Sequence, residues 1–168
     1  DHLSDDELAD VLFRFGEERR SRRVARCIKQ AREAGELSTT LDLRRAVVRA
    51  VGPARIGGVD PATKTFQALR IAVNDEIGEL TALIAAAEKV VRPGGVFAVI
   101  AFHSLEDRLV KRAMRGGAWL PQTKKPVVPG DAETAGNPRA RSAKLRAGRR
   151  KSDDEGIFEG IEEEESFS

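Results

Sequence analysis

Apolar residues recur at helical spacing from the start of the chain. Leu8, Val11, Leu12 and Phe15 share one helical face, Ser4 and Glu7 precede them at capping-box spacing, and Gly16 ends the run. A second helix is predicted over about 17–34, with Val24, Cys27, Ile28 and Ala31 inward and Gly35 as its stop. Its opposite face carries Arg19, Arg22, Arg23 and Arg26 at positions i, i+3, i+4 and i+7. That stripe reads either as a solvated face, partly paired through Glu18 and Arg22, or as a contact for RNA phosphates. The LSTT segment supplies a threonine cap for a third helix, whose apolar face is Leu43, Ala46, Val47, Ala50 and Val51 and which Gly52 and Pro53 terminate.

After a glycine-rich loop, Asp60 as N-cap and Pro61 in the first turn open a fourth helix. Thr63, Gln67, Arg70 and Asn74 fall on one narrow stripe of it, with Phe66, Val73 and Ile77 on one side and Ile71 on the other. Polar groups held between apolar neighbours lose water and need partners. The stripe therefore reads as a buried network or as a surface that closes on a ligand. The apolar pattern runs on through Leu80, Leu83, Ile84 and Ala87 to Val91, and Gly78 is the predicted interruption.

From Val96 to Phe102 every position is apolar (VFAVIAF), which predicts an interior parallel strand covered by helices on both faces. Ser104 is the predicted cap of the next helix, with Leu105, Leu109, Ala113 and Met114 on its buried side before Gly116 and Gly117. Helix, turn, strand and helix make a piece of a doubly wound sheet, whose ligands bind beyond the carboxyl ends of the strands. His103 and Ser104 sit at such an end and are candidates for catalysis; His103 reads equally as a structural ring donating to a nearby carbonyl or carboxylate, and no second histidine completes a Ser-His-Asp set, since His2 lies in a fraying terminus. Asp107 and Arg108 read as helix-dipole and surface pairs. No close His, Cys and carboxylate grouping suggests a metal. Thr123–Val128 reads as a strand that Pro126 confines to an edge or to its own end, and there is no internal repeat.

Composition adds a partner class. The 168 residues are 40% hydrophobic and 33% charged, a globular balance with no apolar run near the ~20 residues of a membrane span and no signal segment. A single cysteine fits a reducing cytoplasm. The net charge of +2 hides an asymmetry: residues 152–168 hold eight acids and no Lys or Arg, leaving 29 basic against 19 acidic residues before them, or +10. Seven of the thirteen residues from Arg139 to Lys151 are basic. Such a body suits a phosphate-rich partner, while no Tyr and only eight Phe plus Trp argue against a sheet of base-stacking aromatics. The acidic tail reads as disordered, and the start at Asp1 without a methionine suggests that something upstream is missing. A glycine-rich cofactor turn after a strand is also missing, because Gly94 and Gly95 precede theirs.

Five stretches, FGEERRSRRVAR, DPATKTFQALRIAVNDEIGEL, RPGGVFAVIAFHSLEDRLVKR, TKKPVVP and NPRARSAKLR, together resemble the RsmH/MraW family of bacterial 16S ribosomal RNA cytosine-N4 methyltransferases. The resemblance covers nearly all of residues 5–147 and only the later half of that family's chain. It implies an α/β fold in which a partial Rossmann-like class I methyltransferase sheet is joined to an all-helical inserted substrate domain. By this comparison residues 1–72 are the helical substrate-recognition domain, 73–150 the C-terminal part of the catalytic domain, and 151–168 an acidic disordered tail. The tail after Gly148 departs from the family, and Trp119 lies in a loop without a clear counterpart.

The resemblance also implies S-adenosylmethionine-dependent N4-methylation of a cytidine in the small-subunit decoding centre. The partner is then 16S ribosomal RNA, with no membrane, a cytoplasmic location and a homodimer left open. The family's cofactor loop, acidic ribose position and aspartate-bearing strand would precede Asp1, so no cofactor-binding residue is identifiable here. Gln67, Arg70, Asn74, His103 and Ser104 would line the RNA-facing or cofactor-facing side of a cleft. Arg19, Arg23, Lys124, Lys125, Arg139 and Arg141 would take the phosphate backbone. A non-catalytic RNA-binding remnant, and an inactive fragment with an exposed sheet edge, are the alternatives.

Overall fold

The structure, a computed structural model, describes residues 2–53 and 59–152. Most of the glycine-rich loop (54–58) and residues 153–168 of the expected acidic tail lie outside the described residues. The chain separates into two compact units, Asp1–Glu76 and Ile77–Ser168.

The first unit is helical. Helix α1 (Asp5–Gly16) starts as predicted: Ser4 Oγ accepts from the Glu7 amide at 3.2 Å while Glu7 Oε2 accepts from the Ser4 amide at 2.7 Å. These hydrogen bonds from Ser4 hold the Glu7 carboxyl below its usual range. Gly16 does not make the turn, because Glu17 takes the left-handed conformation (φ 49°) that caps α1. Gly16 is needed for close approach instead: a Cβ there would lie 2.6 Å from the Lys64 carbonyl oxygen and 3.1 Å from Ala68 Cβ. Helix α2 (Ser21–Glu33) begins four residues later than predicted, since Glu17 turns the chain and Glu18 accepts from the Arg20 amide at 2.8 Å. Thr39 and Asp42 form a second capping box at the start of α3 (Thr40–Val51), and Gly52 ends it.

Helix α4 (Thr63–Asn74) follows a turn in which Asp60 Oδ1 accepts from the Ala62 amide at 3.0 Å. The close approach of α1 decides which face of α4 is buried. Thr65, Ala68 and Ile71 go inward, with the small Ala68 facing Gly16 where the backbones meet, while Thr63, Arg70 and Asn74 are exposed, Gln67 is half-buried and Val73 is 83% exposed. The polar stripe is thus a surface and not a buried network. The core comprises Leu8, Leu12, Val24, Ile28, Ala46 and Val47, with alanines filling between them.

The predicted interruption at Gly78 falls instead at Asp75, whose φ of 48° ends α4; helix α5 (Glu76–Val90) starts at the next residue and contains Gly78. Aspartate tolerates the left-handed region, whereas a glycine inside a helix costs only about 1 kcal/mol, which context absorbs.

In the second unit α5 leads to strand β1 (Val96–Ala101), helix α6 (Ser104–Ala113), strand β2 (Trp119–Pro121), the short helix α7 (Asp131–Gly136), a 3₁₀ turn (Pro138–Ser142) and strand β3 (Lys144–Arg150). The sheet order is β1-β3-β2, with β3 antiparallel to both neighbours. Hence β1 is no interior parallel strand of the described residues; its one ladder is with β3. Burial on both faces is also not seen. Phe97 and Val99 pack under α5 and α6 with Ala87, Val110, Met114 and Trp119, whereas Val96 (60%), Ile100 (54%) and Phe102 (54%) are exposed. Both faces of the run are apolar, but among the described residues only one has helices to cover it.

Trp119 is fully buried, 5.4 Å from the Phe97 ring, and it sits opposite the Gly148 region, where a Cβ would approach Trp119 Cβ to 3.2 Å. That anchor places the second strand at 119–121, and the predicted strand at 123–128 reduces to a single bridge between Val127 and Leu145. No helix among the described residues is long and apolar enough to cross a membrane.

Candidate nucleic-acid interface

The first unit presents a cationic face built by α2 and the turn before it. Arg19, Arg22, Arg23 and Arg26 are all exposed, and Arg19, Arg20, Arg22 and Arg23 line an open groove of about 520 Å³ with Asp10 and Phe13. The expected pairing of Glu18 with Arg22 is not made: Glu18 is buried and serves the Arg20 amide. The Arg20 guanidinium donates to the Val51 carbonyl at 3.2 Å. Arg19, Arg22 and Arg23 have no ion-pair partner among the described residues. Helix α3 is different. There Arg44 pairs with Asp60 at 2.9 Å, Arg45 with Asp42 at 3.0 Å and Arg49 with Glu36 at 3.2 Å. Cations without carboxylates keep their charge for an anionic partner, so the α2 face is the stronger candidate for phosphate contact. Phe13, Asp10 and Arg20 were missed in the sequence as parts of the groove beside the arginine stripe, because α1 and α2 must pack before they meet.

On α4, Arg70 makes a fork to Glu76, with Nε to Oε1 at 2.7 Å and the second nitrogen to Oε2 at 3.0 Å. Gln67 and Asn74 lie on the same outward side.

In the second unit His103, and not Ser104, caps α6. Its Nδ1 accepts from the Glu106 amide at 3.4 Å, while Glu106 Oε2 accepts from the Phe102 and His103 amides at 2.9 and 3.3 Å. Accepting at Nδ1 puts the ring proton on Nε2, which lies 3.3 Å from Glu106 Oε1. Ser104 is the exposed first residue of the helix. The imidazole is therefore a positioned helix cap at the carboxyl end of β1. S-adenosylmethionine does not fit the described residues at this strand end: the amides of Phe102 and His103 already bond Glu106, and no glycine lies between β1 and α6.

Asp107 is not a surface pair. Arg146 on β3 donates Nε to Asp107 Oδ1 at 2.7 Å and a second nitrogen to Oδ2 at 3.3 Å, and Lys144 Nζ lies 3.5 Å away. The Arg146 hydrogen bond and charge, helped by Lys144, hold the Asp107 carboxyl below the usual carboxylate range against its partial burial. Arg146 is thereby withdrawn from the basic segment as a free contact.

Register shows what the sheet brings together. Ala101 pairs with Lys144 and Pro121 with Gly148, so the carboxyl ends of β1 and β2 and the turn before β3 point the same way. His103 and Ser104, exposed Lys124 and Lys125 after β2, and exposed Arg139 and Arg141 on the 3₁₀ turn belong to that end.

The profile of the MraW methylase family matches residues 1–151. Ribosomal RNA small subunit methyltransferase H of Sorangium cellulosum is 74% identical over 151 residues, covering 89% of this chain and 48% of the relative. The proteins of the same name from Methylobacterium nodulans (50% over 167 residues, 88% and 49% covered) and Deinococcus radiodurans (52% over 155 residues, 92% and 49% covered) are also similar. The chain spans about half the length of the curated relatives it matches. With the family profile satisfied across both units, from α1 through β3, the chain belongs to the MraW methylase family.

Proposed function

We propose that this chain is the RNA-holding, later part of an S-adenosylmethionine-dependent methyltransferase acting on N4 of a cytidine in 16S ribosomal RNA, at the small-subunit decoding centre in the cytoplasm. The observation that carries the reading, beside family membership, is the α2 face, whose Arg19, Arg22 and Arg23 lack carboxylate partners while the arginines of α3 have them. Unit Asp1–Glu76 acts as the helical substrate domain. Unit Ile77–Ser168 is the closing part of a Rossmann-like sheet, a reading supported by the parallel direction of β1 and β2 with β3 antiparallel between them and by the uncovered face of β1. S-adenosylmethionine, the methyl donor, is held by the family's remaining length. This chain's own work is to bind and orient the RNA, and positioning is a large part of such catalysis.

In this reading Arg19, Arg23, Lys124, Lys125, Arg139 and Arg141 neutralise phosphates. Gln67, Arg70 and Asn74 face the RNA, and His103 and Ser104 mark the strand end beside the target base. Fluorescence anisotropy with a 16S fragment tests the first part. Affinity is expected to fall steeply with salt, and Arg19→Ala with Arg23→Ala to reduce the log–log slope by about 1.4. An affinity indifferent to salt sinks it. Methyl transfer to small subunits by a polypeptide carrying this chain and the family's remaining length tests the second part; RNA binding without transfer supports a non-catalytic remnant.

A further inference from the structure

Lys111 lies in the last turn of α6 and Arg115 in the turn that follows the helix, and Lys124 approaches from the segment after β2. With Thr123, Met114 and Arg146 they line a pocket of about 210 Å³. Arg146 is committed to Asp107. Lys111, Arg115 and Lys124 have no ion pair or side-chain hydrogen bond among the described residues. Thr123 Oγ1 is shielded from solvent and has no hydrogen-bond partner there either. Three like charges around one cavity repel, and a buried hydroxyl without a partner is destabilising, so both features call for the same missing acceptor.

The geometry points to a site for one phosphate group, a phosphodiester of the RNA strand, with Thr123 donating its hydroxyl and Lys111, Arg115 and Lys124 supplying charge-assisted bonds. The volume decides the ligand's size: it lies below the roughly 300–1,000 Å³ of sites for whole small molecules and suits a single oxyanion. The carboxyl end of α6 opposes an anion with roughly half a negative charge, which three full positive charges outweigh. The site deepens the RNA-binding reading and rests on it for the identity of the strand.

The test uses the full chain with Thr123→Val, Thr123→Ser and Lys111→Met, read by the rise in Tm with inorganic phosphate and by anisotropy with a 16S fragment. Thr123→Val is expected to melt no lower than the parent, to lose the phosphate-induced rise and to bind RNA about tenfold more weakly. Thr123→Ser keeps all three properties. Lys111→Met reduces the log–log salt slope by about 0.7, one single-strand phosphate contact. A lower melting temperature for Thr123→Val makes the hydroxyl a structural donor and overturns the proposal, as does an unchanged phosphate response. Phosphate stabilising a chain that does not bind RNA retains the pocket and removes the RNA reading. Salt-sensitive RNA binding untouched by Thr123→Val and Lys111→Met does the reverse.

Discussion

Arg146 Nε donates to Asp107 Oδ1 at 2.7 Å, a pair 39 residues apart in sequence that ties the first turn of α6 to β3. The two side chains are 11% and 13% exposed, so water competes little for either. Because the Asp107 carboxyl titrates below its unfolded value of about 3.9, the pair's contribution is full above about pH 5 and is lost as pH falls through the folded value. Asp107→Asn is expected to cost about 2 kcal/mol at pH 7, less than a wholly buried pair because some water reaches it. Urea denaturation at pH 7 and again near pH 3 checks this. The gap between variant and parent narrows on acidification, as the contribution begins to be lost below the unfolded value, and equal stability at neutral pH would show that the pair holds nothing.

Gly16→Ala sets two effects against each other. Alanine in place of glycine in a helix gains up to about 1 kcal/mol, but here the new Cβ meets the Lys64 carbonyl, a backbone atom that cannot move aside without moving α4. Overpacking of this kind costs about 1–3 kcal/mol, so the net result is a loss. Thermal denaturation followed by circular dichroism reads it. A gain in stability would mean that the α1–α4 approach is looser than the geometry here.

What was legible in the sequence was local. Capping boxes lie within four residues, so the start of α1 could be read from Ser4 with Glu7, and that of α3 from a threonine of LSTT, to which the structure adds Asp42. The buried face of α4 could not, since Gly16 on another helix selects the small residues Thr65 and Ala68 over the Thr63–Asn74 stripe. Nor could the Asp107–Arg146 pair, which no periodicity links. In β1 the apolarity of both faces was plain, but a strand does not say what covers it or which way its neighbours run. Candidate cations were visible as types; which of them lack carboxylates became visible only once α3's arginines had found theirs.

His103 can be separated from Ser104 by the capping geometry. Asparagine is a strong N-cap and alanine a poor one, so His103→Asn is expected to melt with the parent while His103→Ala loses about 1 kcal/mol. Ser104→Ala leaves stability within about 0.5 kcal/mol, as an exposed residue off the cap should. If Ser104→Ala were the damaging change of the three, the cap would have been assigned to the wrong residue.

The uncovered face of β1 gives a prediction whose sign depends on what accompanies the chain. Val96, Ile100 and Phe102 form an exposed apolar row on a strand whose only ladder among the described residues is with β3. Such an edge and face template pairing with other chains, so this chain is expected to self-associate as its concentration rises. Ile100→Lys places a charge on that row at a site already open to water; it is expected to shift sedimentation velocity toward monomer with Tm changed by no more than the equivalent of about 0.5 kcal/mol. In a polypeptide that also carries the family's remaining length, the same substitution is expected to destabilise, because helices packed on that face of β1 would bury the lysine without a partner. Monomer at every concentration in the unmodified chain, or an indifferent Ile100→Lys in the longer polypeptide, would mean that nothing packs on this face.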